Sequence, residues 1–122
     1  MSPLKRILIV EDYFHNFKEI TDYLGSQVEV IWGKNQEEAR ELFFKEKDSI
    51  DLVIMDACVP GSHPNTMDLI GEIKACFQGP IIAVSSVSEY IPVLMKAGAT
   101  HKSTAGRWGA AKLALQLLSL DK

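Results

Sequence analysis

Asp51-Leu52-Val53-Ile54-Met55-Asp56 is the stretch on which the fold turns. Its interior is apolar without a break, the pattern of a short strand covered on both faces rather than one with a wet side. A carboxylate closes it. Runs of the same kind lie on either side: Ile7-Leu8-Ile9-Val10 upstream and Ile81-Ile82-Ala83-Val84 downstream. These also end in polar residues, Glu11-Asp12 and Ser85-Ser86 respectively.

Helical patterns separate the runs. After the first strand, Asp12 or Asn16 is placed to cap a helix whose inward stripe is Phe17, Ile20 and Leu24, at a spacing of three and four, and Gly25 stops it. Val28-Glu29-Val30-Ile31-Trp32 alternates at its start and predicts an edge strand. Asn35, with Glu38 three residues on, forms a capping box ahead of a helix that turns Ala39, Leu42 and Phe43 inward. A Pro- and Gly-rich loop, Ala57 to Asn65, leads to Thr66, read as the cap of a helix with Ile70, Ile73 and Phe77 on its buried side. Pro92 fits only the first turn of a short helix, Ile91–Ala97, that Gly98 closes. A brief fifth strand is expected at Thr100–Lys102, followed by a helix with Trp108, Ala111, Leu115 and Leu118 on one side.

Strand and helix alternating in this way, with buried strands, predict an α/β protein: a doubly wound, five-stranded parallel sheet with helices on both faces. The pattern fills residues 1–122 as one domain, without repeat or linker. Its 13 basic and 16 acidic residues, net charge −3, argue against binding nucleic acid through a broad basic face. Cys58 and Cys76 are too few for a disulfide scaffold or a zinc site and are expected as free thiols. Ile7–Val10 is far too short for a signal sequence or a membrane span, so a cytoplasmic location is expected.

In an open parallel sheet, ligands bind beyond the carboxyl ends of the strands, where strand order reverses. There the first strand offers Glu11 and Asp12, the third Asp56, the fourth Ser85, and the fifth Lys102. Converging carboxylates repel one another unless a cation or a proton compensates, and hard oxygen donors suit magnesium. Taken singly, each residue has a plain structural reading: the acidic pair as a loop or helix cap, Asp56 as a turn residue, Ser85 as a satisfied hydroxyl. As an ordered series at strand ends, they describe a phosphoryl-transfer site.

Lys5-Arg6-Ile7-Leu8-Ile9-Val10-Glu11-Asp12 resembles the opening of bacterial response-regulator receiver domains. Asp51–Asp56 with Val59-Pro60-Gly61 is similar to their phosphoacceptor strand and loop, Pro80–Ser86 to their hydroxyl-bearing fourth strand, and Ala97-Gly98-Ala99 to the turn before the fifth. The resemblance spans nearly the whole chain and implies a flavodoxin-like sheet of order 2-1-3-4-5. It further implies that Asp56 accepts a phosphoryl group from a histidine kinase or histidine phosphotransfer protein. Glu11, Asp12, Asp56 and the backbone carbonyl of Cys58 would hold Mg2+, and Ser85 and Lys102 would contact the phosphoryl oxygens. A downstream protein target would read the switch. There would be no turnover of an outside substrate, no direct contact with nucleic acid and no membrane anchor.

Two departures stand out. The loop Pro60–Met67 is longer than the family's usual turn, with a lone His63 expected in solvent. The fifth strand, Ala99-Thr100-His101-Lys102-Ser103-Thr104, has neither the family's aromatic residue, for which His101 is the candidate replacement, nor its Lys-Pro ending. Either the preceding helix is trimmed and Lys102 keeps its place, or the lysine is displaced. The second case points to a pseudo-receiver, an interaction module indifferent to phosphate. Enzyme alternatives fit less well. A haloacid-dehalogenase-type phosphatase needs a second Asp where Cys58 stands, a flavodoxin-like carrier needs a phosphate loop where Glu11-Asp12 stands, and no P-loop motif occurs.

Overall fold

The computed structural model describes residues 4–120. Its strands are β1 (Lys5–Val10), β2 (Val28–Gly33), β3 (Leu52–Asp56), β4 (Ile81–Val84) and β5 (His101–Lys102). Interleaved with them are α1 (Phe14–Leu24), α2 (Gln36–Glu46), α3 (Met67–Lys74), α4 (Ile91–Ala97) and α5 (Gly106–Leu117). The strands form one sheet, every pair parallel as the apolar runs predicted, in the order β2-β1-β3-β4-β5 that the family resemblance implied. β2, the alternating strand, lies at one edge.

Strand periodicity divides the core in two. Ile7 and Ile9 of β1, Leu52 and Ile54 of β3, and Ile82 and Val84 of β4 pack with Ile20 and Leu24 of α1 and with Ala110, Ala111, Ala114 and Leu115 of α5. Leu8, Val10, Val53, Met55, Ile81 and Ala83 face the other way, onto α2, α3 and α4 through Phe43, Leu69, Ile70, Ile73 and Leu94. The central strands are therefore sealed on both sides, which is why they carry no polar alternation.

Several local expectations are corrected. Neither Asp12 nor Asn16 caps α1; its N-cap residue is Tyr13, with no side-chain cap. Asn35 does cap α2, its Oδ1 accepting from the Glu38 amide at 2.8 Å, while Glu38 Oε1 accepts from the Lys34 amide. Thr66 occupies the N-cap position of α3 but makes no cap bond. Its buried hydroxyl donates to the carbonyl of Asp56 at 2.9 Å. Trp108 lies on the outer side of α5, 46% exposed and stacked on Tyr23, because the small residues Ala110, Ala111 and Ala114 let that helix sit close to the sheet.

Candidate functional site

Register brings the acidic residues together. Val10 pairs with Met55 in the parallel ladder, so Glu11 stands level with Asp56; Asp56 in turn pairs with Val84, one residue before Ser85. Parity then sets direction: Glu11 follows Ile9 by two and Asp56 follows Ile54 by two, so both carboxylates continue the face that packs on α1 and α5. Glu11 is 1% exposed and Asp56 5%. With Asp12, Cys58 and Ser85 they line one open cleft of about 380 Å³ at the carboxyl end of the sheet. The cleft lies where β1 and β3 diverge, the reversal point of strand order.

The cation in this cleft is Arg107, which the sequence reading did not single out. It comes from the first turn of α5, on the face to which both carboxylates point. Nη2 donates to Asp56 Oδ2 at 2.7 Å and Nε donates to Glu11 Oε1 at 3.2 Å. Backbone amides hold the other carboxylate oxygens: Cys58 N–H donates to Asp56 Oδ1 at 2.9 Å, and Tyr13 N–H to Glu11 Oε2 at 3.1 Å. Burial, reinforced by the hydrogen bonding and charge of Asp56, pushes the Glu11 carboxyl up to about 8; the Tyr13 amide and Arg107 oppose the rise. Burial works against the Arg107 charge, but the hydrogen bond to Asp56 and the neighbouring carboxylates outweigh it, so its pKa is raised. Burial likewise raises the Cys58 thiol, as does the charge of Asp56.

Lys102 is placed elsewhere. It pairs with Ala83, whose side chain belongs to the α4 face, and so emerges on the opposite side of the sheet from Asp56. It is exposed and lines two neighbouring clefts, one of them with Ser85, Ser86 and Pro92, but not the one that Asp56 lines. The lysine is thus displaced, the second of the two cases open from sequence. Ser85 is half-buried on the rim of the Asp56 cleft, its Oγ accepting from the Val87 amide at 3.0 Å. Asp12 is exposed on the same rim.

Around the cleft the long loop is pinned rather than slack. Asn65 Oδ1 accepts from Val59 N–H and its Nδ2 donates to the Pro60 carbonyl. Gln36 Nε2 reaches across to the Val59 carbonyl at 2.8 Å, and Tyr90 Oη donates to the Ser62 carbonyl at 2.9 Å. His63 is exposed, as expected. Trp32 closes the β2 side, its Nε1 donating to the Glu11 carbonyl at 2.7 Å and its ring stacked on Phe17 at 4.1 Å between centroids.

Among the described residues no three His, Cys, Asp or Glu side chains are gathered tightly enough to enclose a metal ion. The carboxylates of the cleft are nonetheless hard oxygen donors, with Asp12 open to water. Such a set suits a magnesium ion that takes few protein ligands and keeps much of its hydration shell. Among the described residues no helix is long and apolar enough to cross a membrane.

No family model matches the chain, and no curated protein is similar to it in sequence. Solved structures are similar over almost its entire length. The BeF3-activated N-terminal receiver domain of Klebsiella pneumoniae RstA is 28% identical with a TM-score of 0.72, covering 97% of this chain and 100% of that one. A response-regulator receiver-domain protein of Clostridium thermocellum is 22% identical with a TM-score of 0.72, covering 95% of both chains. The CheX–CheY complex with BeF3 and magnesium from Borrelia burgdorferi matches at 18% identity and a TM-score of 0.74, covering 93% of this chain and 89% of that one. The chain therefore has the fold shared by these structures, and the resemblance read from its strand ends is matched in fold over 93–97% of its length.

Proposed function

We propose, from the premise that this chain has the receiver-domain fold, that it is a phosphoacceptor domain of a two-component or phosphorelay system, phosphorylated on Asp56. One observation carries the reading: Asp56 ends a fully buried central strand yet opens into a polar cleft, with Glu11 beside it and Arg107 Nη2 2.7 Å from its Oδ2. A buried carboxylate held between fixed donors and an adjacent cation is placed to act as a nucleophile toward a phosphoryl group.

A carboxylate oxygen of Asp56 attacks phosphorus, and the new O–P bond forms as the P–N bond of a partner's phosphohistidine breaks. The electron pair leaves with the imidazole nitrogen. Magnesium, when held by Glu11, Asp12, Asp56 and the carbonyl of Cys58, would neutralise charge on the phosphoryl oxygens. The Cys58 amide orients Asp56, and Ser85, on the facing rim, is placed to donate its hydroxyl to the incoming group. Since the chemistry ends on the protein itself, the product is a changed surface rather than a released molecule. The partners are a histidine kinase or phosphotransfer protein upstream and a target protein downstream, in the cytoplasm.

The displacement of Lys102 favours a second reading, an interaction module indifferent to phosphate. Intact-mass measurement with magnesium and acetyl phosphate separates the two. One added phosphoryl group on the parent, and none on Asp56→Asn, is the expected result. A parent that gains no mass, under conditions that label a known receiver, leaves only the interaction module.

A further inference from the structure

We propose that Arg107, not Lys102, is the cation that receives the phosphoryl group on Asp56. The inference rests on the phosphoacceptor reading above and assigns the role that its lysine leaves open. Three features of the chain converge on it.

Parity comes first. Lys102, level with Ala83, leaves β5 on the α4 side of the sheet and does not line the cleft that Asp56 lines. Arg107 approaches from the correct side because its helix packs there. Next is how the backbone delivers it. Gly106 turns the chain into α5 with φ +68°, a conformation costly for any residue with a Cβ. One turn on, a Cβ at Gly109 would lie 2.7 Å from the Cβ of Ala105 and 3.0 Å from Ser103 Oγ, so only glycine lets the helix start so close to the strand end. These glycines set Arg107 at the mouth of the cleft, where its side chain is 13% exposed.

Finally, the guanidinium suits the exchange. It is planar and holds its charge, and its several N–H donors can serve two oxygens at once. Nε stays with Glu11 while Nη2, now on Asp56 Oδ2, is free to pass to a phosphoryl oxygen when Asp56 becomes an acyl phosphate. That step makes the Asp56 carboxylate the acyl half of a mixed anhydride and leaves the negative charge on the phosphoryl oxygens, so the guanidinium follows the charge outward. The change is felt at the first turn of α5, a different element from the strand that carries Lys102.

The test uses Arg107→Ala, Arg107→Lys and Lys102→Ala in the full chain, each checked for folding by circular dichroism. Labelling by acetyl phosphate and magnesium is followed by intact mass. Binding of beryllium fluoride, a phosphoryl mimic that needs no transfer step, is followed by fluorescence of Trp32, with Trp32→Phe assigning the signal. Arg107→Ala is expected to slow labelling by about a hundred- to thousandfold, as loss of one charge-stabilising donor does, and to weaken beryllium fluoride binding. Arg107→Lys recovers part of both, which a packing role for Arg107 would not produce, and Lys102→Ala is affected less than Arg107→Ala. Should Arg107→Ala misfold, the order of Arg107→Lys and Lys102→Ala decides. Overturning results are labelling and binding by Arg107→Ala at or above the parent's level, or a larger defect in Lys102→Ala. A parent that is not labelled at all brings down the phosphoacceptor reading itself, whereas a labelled parent with an indifferent Arg107→Ala removes only the role of Arg107.

Discussion

Thr66 illustrates how little of this site is held by its charged groups alone. Its hydroxyl is wholly buried and donates to the carbonyls of Asp56 and Ala57, tying the start of α3 to the end of β3. Valine has nearly the same shape but no donor. Thr66→Val is therefore expected to lose about 1–3 kcal/mol of stability, the cost of leaving a buried acceptor short of a partner, read from the midpoint of urea unfolding. Thr66→Ser, which keeps the hydroxyl, should retain more of the stability. If the valine variant proves as stable as the parent, the Asp56 carbonyl is satisfied by other means and the threonine is only a spacer.

For the elements, the close contact is between α2 and the end of β2. A Cβ added to Gly33 would stand 2.6 Å from the Cβ of Ala39 and 2.8 Å from its Cα, so relief requires the helix backbone to move. The Gly33 carbonyl also accepts the Glu11 amide at 3.1 Å, which carries the disturbance to the site. Gly33→Ala is expected to destabilise by about 1–3 kcal/mol, as overpacking does, and Gly33→Ala/Ala39→Gly to recover part of the loss. At this scale the sequence was most informative: short unbroken apolar runs bounded by turn residues fit strands covered on both faces, and the sheet order followed from the family resemblance. The polar ends of β1, β3 and β4 were legible for the same reason, since each lies directly after a run whose end is plain. β5 was not. It has only two residues, so nothing in its pattern fixes which side chain faces which way, and a shift of one residue changes the face of Lys102. Arg107 was hidden for a related reason. It belongs to a helix, and its role depends on how closely Gly106 and Gly109 allow that helix to approach. Trp108 was misjudged because a stripe of alanines, weak as a hydrophobic signal, does the packing that the tryptophan seemed suited for.

Across the whole molecule, buried Glu11 makes stability depend on pH in a direction opposite to that of most carboxylates. Half-buried Glu46 and Glu72 are held low by their hydrogen bonds to Arg6 and Arg40, so they favour the folded state as pH rises through the acid range and have nothing left to give above it. Glu11 is the reverse: burial and the neighbouring Asp56 lift it to about 8 from an ordinary value of 4.5. Between those two values the folded protein holds a proton that the unfolded chain releases, so stability declines as pH rises through that window and levels off above it. In the presence of EDTA, the unfolding midpoint in urea should therefore fall between about pH 5.5, inside the window, and about pH 8.5, just above it, by the linkage relation. Glu11→Gln, which cannot ionise, should flatten that decline while keeping the hydrogen-bonding shape. Millimolar magnesium should raise the midpoint of the parent most at the alkaline end, where Glu11 has lost its proton and a bound cation stabilises the folded state alone. A midpoint in EDTA that rises with pH over this range, or a decline that Glu11→Gln leaves intact, would show that Arg107 already compensates both carboxylates and that the pair stores no repulsion for a metal or a phosphoryl group to act on.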